Sequence, residues 1–222
     1  TAAIKEDNEE YIAAVRSGAD AVYFGAKSFN ARRNAQNFDS LSDTVRYCHE
    51  RGVAAHITVN TLFCDDEREE LIALAKEIAK AGADAVIVQD LGAAKIFKQC
   101  VPGLPLHAST QLAVHDINGV KQLEQMGFSR VVLSRELSLK EIEYIAKNTS
   151  LEVEVFIHGA LCMSVSGCCY LSSMLGGRSG NRGLCAQPCR LDFKSGDRHF
   201  ALSLKDMCHI EHIKELEQAG VR

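Results

Sequence analysis

The chain has 222 residues, 25 Lys plus Arg against 29 Asp plus Glu, nine cysteines, three prolines and no tryptophan. Apolar residues make up 46% and charged residues 24%, which excludes a disordered tail, a collagen-like repeat and a small disulfide scaffold. No apolar run reaches the roughly 18 residues of a membrane helix, and the polar, acidic start has no signal-peptide pattern, so a cytoplasmic location without a membrane partner is expected.

In chain order, residues 8–17 read as a short helix and 21–25 as a buried strand closed by glycine. No strand is legible before that first helix. Residues 41–51 carry Leu41, Val45 and Cys48 at helix spacing, and 53–59 is a strand. Residues 65–81 form the clearest helix, with Leu71, Leu74, Ala75 and Ile78 as its stripe and Gly82 as its stop. Strands follow at 85–88, 106–109, 131–133 and 153–157, with helices at 92–98, 116–126 and 138–147.

An internal repeat supports this alternation. Ser17-Gly-Ala-Asp-Ala-Val-Tyr-Phe-Gly25 echoes Ala81-Gly-Ala-Asp-Ala-Val-Ile-Val-Gln89, and residues 126–134 are a looser copy. Short apolar strands alternating with helices predict a parallel sheet, either a TIM-barrel-like (β/α) barrel or a doubly wound open sheet. No GxGxxG follows the first visible strand, which disfavours a dinucleotide-binding sheet. The chain closes on a helix–glycine–strand entry, so a single barrel-like domain incomplete at both ends is expected over 1–222.

From 156 to 190 the alternation stops. Glycine, serine and cysteine dominate, Asp and Glu are absent, and Arg178, Arg182 and Arg190 give a local positive charge. A loop so long without structure of its own is usually functional, and it follows a strand end, where parallel barrels place their active sites. Residues 158–200 therefore read as a Cys-rich insertion after a late strand. Five cysteines fall here: Cys162, Cys168, Cys169, Cys185 and Cys189. Choosing Cys169 gives C-x6-C-x15-C-x3-C, which suits a [4Fe–4S] cluster, a zinc ion or unliganded thiols. The wide spacing, the glycines and Pro188 lean toward the cluster. Cys48 and Cys100 read as core or helix-surface residues, Cys64 and Cys208 as free thiols.

Glu154-Val-Phe-Ile-His-Gly-Ala-Leu-Cys162, Gly167-x-Cys169-x-Leu171-Ser172, Gly176-Gly-Arg-Ser-Gly-Asn-Arg-Gly183 and Cys185-Ala-Gln-Pro-Cys-Arg190 together resemble the signature of the peptidase U32, or collagenase-like protease, family. Residues 18–25 and 28–34 also fit. The resemblance implies a barrel-like domain and a [4Fe–4S] cluster held by Cys162, Cys169, Cys185 and Cys189, with Cys208 as substitute for the last. It implies two contrasting activities. One is oxygen-independent hydroxylation of a pyrimidine in tRNA or rRNA, with prephenate as a co-substrate; the other is hydrolysis of collagen or a peptide. A scaffold stabilised by metal is the third possibility.

The residues themselves decide little between these. No HExxH, no GxSxG and no evident base for Ser164 or Ser166 is present, and His158 precedes Cys162 by four residues on a turn. Candidates for chemistry lie where strands end: His158, Arg32, Arg33 and Gln111 as catalytic groups, and Asn30, Asn60, Ser109, Arg178 and Arg182 for substrate binding. Gln89, Asp90, Thr110, Ser134 and Arg135 share that rim. An arginine pair could hold a dicarboxylate bidentately. Tyr23, Phe24, Phe29 and Tyr170 are stacking faces for RNA, with core packing the favoured reading of each. Glu154 reads either as a carboxylate paired with an arginine or as the polar face of its strand.

Overall fold

A computed structural model describes residues 2–3, 8–31, 40–165 and 168–222. The backbone gathers into two compact units, Thr1–His107 with Arg182–Leu184, and Ala108–Asn181 with Cys185–Arg222.

The first unit alternates β1 (Ala2–Ala3), α1 (Asn8–Arg16), β2 (Ala21–Gly25), α2 (Leu41–His49), β3 (Ala54–Val59), α3 (Arg68–Ala81), β4 (Ala85–Val88), α4 (Leu91–Cys100) and the start of β5 (Leu106–Ala108). The expectation of no strand before the first helix is corrected: Ala2 and Ala3 pair in parallel with Val22 and Tyr23. Two residues are too few to carry a period. Pairing from β2 through β4 is also parallel, with Tyr23 beside His56 and His56 beside Ala85. Within this unit strand order follows sequence order from β1 to β4, so each strand–helix–strand passage is a crossover.

The repeated Gly-Ala-Asp step has a backbone cause. Gly18, Gly82 and Gly127 hold φ of 89°, 81° and 75°, the left-handed turn that ends a helix before the next strand. Asp84 then accepts the amide of Ala55 at 2.7 Å, tying the turn to the neighbouring strand. Helix starts follow the capping rules. Asp90 accepts from the Ala93 amide at 3.0 Å, and the Ser138 and Glu141 side chains cap each other's backbone amides.

The strands of the first unit have two chemically different faces. Val22, Phe24, Ala55, Ile57, Val59, Val86 and Val88 are almost fully buried, as is the stripe Leu71, Leu74, Ala75 and Ile78 of α3. The alternate positions carry His56, Thr58, Gln89 and His107, polar yet each under 8% exposed. His56 and His107 meet edge to face at 4.7 Å between ring centres, and Thr58 donates to the Phe24 carbonyl at 3.2 Å.

The second unit holds the end of β5, α5 (Ile117–Gln125), β6 (Arg130–Val132), α6 (Leu139–Lys147), β7 (Glu152–Glu154) and α8 (Ile213–Ala219). β6 and β7 are parallel. Glu154 accepts from Arg130 Nη1 at 2.8 Å, which decides its reading as a paired carboxylate. Burial would lower the Arg130 pKa, but Glu152 and Glu154 outweigh it and hold the guanidinium above its usual value.

The segment expected to lack structure has its own. β8 (His158–Gly159) pairs antiparallel with β9 (Met207–Cys208), α7 spans Leu171–Gly176, and 3-10 turns cover Gly180–Arg182 and Pro188–Arg190. These elements are too short to give a hydrophobic period, so glycine and serine content alone conceals them.

Candidate metal centre and strand-end residues

Cys162, Cys169, Cys185 and Cys189 all belong to the second unit, and local hydrogen bonds shape the turns that carry them. The Leu171 amide donates to Cys169 Sγ at 3.4 Å, and the Gln187 amide to Cys185 Sγ at 3.4 Å. The Ala186 amide donates to the hydroxyl of buried Ser172 at 3.0 Å, tying the third cysteine turn to α7. A Cβ on Gly180 would stand 3.5 Å from the Cys169 carbonyl and 3.7 Å from Cys185 Cβ, so two cysteine turns converge on that glycine. Arg190 draws the remaining pair together. It follows Cys189 and donates to the carbonyl before Cys162, that of Leu161, at 3.3 Å, and to Ser203 Oγ at 2.9 Å and the Leu204 carbonyl at 2.5 Å.

Electrostatics joins the set. The Cys189 thiol is pushed up first by burial and then by the charge of Cys162, with Arg190 opposing; Cys185 and Cys169 add to the rise. Charge on any of the other three sulfurs is thus felt at Cys189. Among the described residues, no three of these sulfurs lie within 4.8 Å of one another. Around one tetrahedral zinc, with Zn–S near 2.3 Å, they would stand about 3.8 Å apart. The four sulfurs are not drawn together to that single-ion spacing. Cys208, the substitute ligand, is exposed and is the cross-strand partner of exposed His158.

The other cysteines have separate settings. Cys48 is fully buried, its thiol pushed up to about 11 by burial and by Asp84, with Arg51 opposing. Cys64, Asp66 and Glu67 bring three ligand-type atoms within 4.8 Å. There, however, Arg182 already supplies the positive charge: Nη1 donates to Glu67 Oε2 at 2.8 Å, Nη2 donates to Glu67 Oε1, and Nη1 lies 3.5 Å from Cys64 Sγ.

The remaining expected residues fall into three groups. Arg32 and Arg33 lie outside the described residues. Asn30, Asn60 and Ser109 shape their own loops. Asn30 donates to the Ala26 carbonyl at 2.5 Å, Asn60 accepts the Ala31 amide at 3.0 Å, and Ser109 accepts the Gln111 amide at 3.2 Å. Gly25 makes room for the first of these, because a Cβ there would stand 2.6 Å from Asn30 Cγ. Gln111 Oε1 and Thr110 Oγ1, by contrast, are buried with no hydrogen-bond partner among the described residues, as are Gln89 Oε1 and Ser134 Oγ. Arg178 is exposed, and its side chain makes no hydrogen bond or ion pair with the described residues. His56, beside His107, was missed in the sequence, although His56-x-Thr58-x-Asn60 is a period-two polar pattern.

The second unit also contains a cavity of about 320 Å³ at the ends of β6 and β7, lined by Ser134, Arg135, Phe156, Met207, His209 and His212 among others.

A parallel α/β chain carrying four clustered cysteines on one segment defines a class, and comparison with known proteins places it. The sequence profile of peptidase family U32 matches residues 6–222, and the chain belongs to that family. It is 41% identical over 219 residues to a 23S rRNA 5-hydroxycytidine synthase of Escherichia coli K12, covering 94% of this chain and 33% of that protein. It is 32% identical to tRNA hydroxylation protein P1 of Bacillus subtilis 168, covering 94% and 53%. It is 34% identical to a collagenase of Porphyromonas gingivalis W83, covering 96% and 57%. The chain thus spans between a third and somewhat over half of these relatives. Among solved structures, a U32 peptidase superposes with TM-score 0.61 at 15% identity over 71% of this chain and 68% of its own. A copper homeostasis protein CutC from Streptococcus agalactiae gives 0.54 at 15% identity, over 69% and 85%. The α/β fold is shared with both. No helix among the described residues is long and apolar enough to cross a membrane.

Proposed function

We propose that this chain is part of an iron–sulfur protein that hydroxylates a pyrimidine of tRNA or rRNA in the cytoplasm. The observation that carries the reading is the approach of the Cys169 and Cys185 turns at Gly180, with Arg190 after Cys189 bonded to the carbonyl before Cys162, in a chain 41% and 32% identical to proteins named for rRNA and tRNA hydroxylation. Replacing a ring hydrogen by hydroxyl removes two electrons, which need an acceptor, and a [4Fe–4S] cluster on these thiolates would relay them in an oxygen-independent route. The chain's own groups would orient the reactants. Prephenate, as co-substrate, needs a cationic group beside apolar walls, and the 320 Å³ cavity has Arg135, Phe156 and Met207 in its lining. That volume is within the usual range for small-molecule sites.

Two measurements test this. Anaerobically purified full-length protein should be brown and hold about four irons. Mass spectrometry of RNA nucleosides should show a hydroxylated pyrimidine that disappears when the gene is deleted. Colourless, zinc-bearing protein together with unchanged nucleosides would refute it.

A peptidase is the second reading, favoured by the relative named collagenase. It needs a thiolate beside a histidine, and Cys208 and His158 are cross-strand partners. It predicts cleavage of denatured collagen that Cys208→Ala abolishes.

A further inference from the structure

The segment that carries the cysteines also exposes large apolar side chains. Tyr170 is 64% exposed, Met174 82% and Leu175 58%. Of the four aromatic residues considered for stacking, Phe24 and Phe29 are buried in the core and Tyr23 is half-buried on the polar strand face. Tyr170 is the one that faces solvent, so its core reading is corrected. Three large apolar side chains so exposed within six residues are the kind of surface that contact sites use.

Tyr170 has a fixed place. It directly follows Cys169, whose sulfur accepts the next amide, and its carbonyl accepts the Met174 amide at 3.0 Å as α7 begins. Arg178 lies two residues beyond the other end of α7. Its amide donates to the Ser172 carbonyl at 3.3 Å, and its carbonyl accepts from Ser173 Oγ at 3.2 Å. The six residues of α7 rise about 9 Å, so ring and guanidinium stand at opposite ends of one short element.

Charge decides the kind of partner. No Asp or Glu occurs between Glu154 and Asp192. Arg182 is paired with Glu67, and Arg190 is spent on Leu161, Ser203 and Leu204. That leaves Arg178 as the arginine of this segment without a partner among the described residues. An exposed ring and a free guanidinium flanking one short helix, in a segment without carboxylates, complement a polyanion that carries flat bases.

We infer that Tyr170 and Arg178 form a docking platform for single-stranded RNA beside the cysteine set, Tyr170 stacking on an unpaired base and Arg178 meeting a phosphate. This rests on the RNA reading above. Stacking on an aromatic side chain tolerates any base, so the platform positions the strand while other groups select the nucleotide.

The test uses the full-length protein and a fluorescein-labelled, mixed-sequence single-stranded RNA of about ten nucleotides, followed by anisotropy. Tyr170→Ala should weaken binding roughly tenfold to a hundredfold, and Tyr170→Phe should restore it. Arg178→Ala should weaken binding and reduce the slope of log affinity against log salt by about 0.7. Iron content should match the wild type in all three. Wild-type affinity in Tyr170→Ala, or equal loss in Tyr170→Phe, overturns the platform. So does a change in self-association or protein capture with RNA affinity unaltered, which would make the patch a protein interface. Nucleoside analysis of the deletion strain separately tests the hydroxylation reading. Altered nucleosides with RNA-indifferent variants would reject the platform alone.

Discussion

Replacing Glu67 by glutamine tests what Arg182 is for. Sequence reasoning placed Arg182 among substrate-binding groups; in the structure it grips Glu67 through both guanidinium nitrogens, while the Cys64 amide also donates to Glu67 at 2.7 Å. The two side chains are 26% and 25% exposed. A freely exposed pair couples by about 0.2–1 kcal/mol. Two unit charges 4 Å apart attract by about 4 kcal/mol at an effective dielectric of 20, before desolvation and side-chain entropy are subtracted. A bidentate pair three-quarters buried falls between, at about 1–2 kcal/mol of coupling. Urea denaturation of wild type, Glu67→Gln, Arg182→Gln and the double variant measures it as a double-mutant cycle. An anchoring role predicts that coupling, and equal loss of iron retention in both single variants, because Arg182 lies in the sequence between Cys169 and Cys185. A substrate role predicts the opposite for the two. Arg182→Gln would lose RNA affinity, and Glu67→Gln, by freeing the guanidinium, would gain it. Coupling below about 0.3 kcal/mol with that divergence would refute the anchoring argument.

Three further outcomes follow from the same geometry. Cys162→Ser, Cys169→Ser, Cys185→Ser and Cys189→Ser should each lose iron in anaerobic metal analysis, whereas Cys168→Ser and Cys208→Ser retain it; loss only in Cys208→Ser would move the fourth ligand to β9. Gly25→Ala should destabilise by about 1–3 kcal/mol through its contact with Asn30, and adding Asn30→Ala should recover part of that. Raising the pH should destabilise the fold through Cys48, whose folded value of about 11 lies above the ordinary 9.0. The unfolded thiol ionises first, so this contribution is intact below pH 9 and is lost as pH rises to 11, at most about 3 kcal/mol. Thermal melts of Cys48→Ala should lack that part of the alkaline decline.

What was legible in the sequence is what repeats locally. Three Gly-containing helix ends announced the strands after them because a left-handed turn admits few other residues. The start of α6 was legible to the residue at Ser138, where a cap shared with Glu141 is decided within one helical turn. β1 was missed because two residues carry no period, and α7 because six do not fill two turns. The polar strand face was visible as His56-x-Thr58, yet the strands read as uniformly apolar, since their helix-facing residues dominate any average over the run. Nothing local couples Arg182 to Glu67, 115 residues away. The same holds for Tyr170, whose exposure depends on what the rest of the chain leaves uncovered.

The missing carboxylates of residues 155–191 connect the cysteines to the exposed platform. Burial first, and then the charge of the other cysteines, pushes the Cys189 thiol up, with Arg190 opposing. Nearby aspartate or glutamate would add to that push and raise the cost of ionising all four. A cluster with four thiolate ligands is itself net negative, so an acid-free surround would stabilise it as well as the empty set. The same composition leaves the surface without groups that repel phosphate. Arg190 spends its charge inward, on carbonyls and a hydroxyl that fix the turns of Cys162 and Cys189. Arg182 spends its charge on Glu67. Arg178 alone of the three is left facing solvent, which is why a single substitution there should change the salt dependence of RNA binding while leaving the iron content where it was.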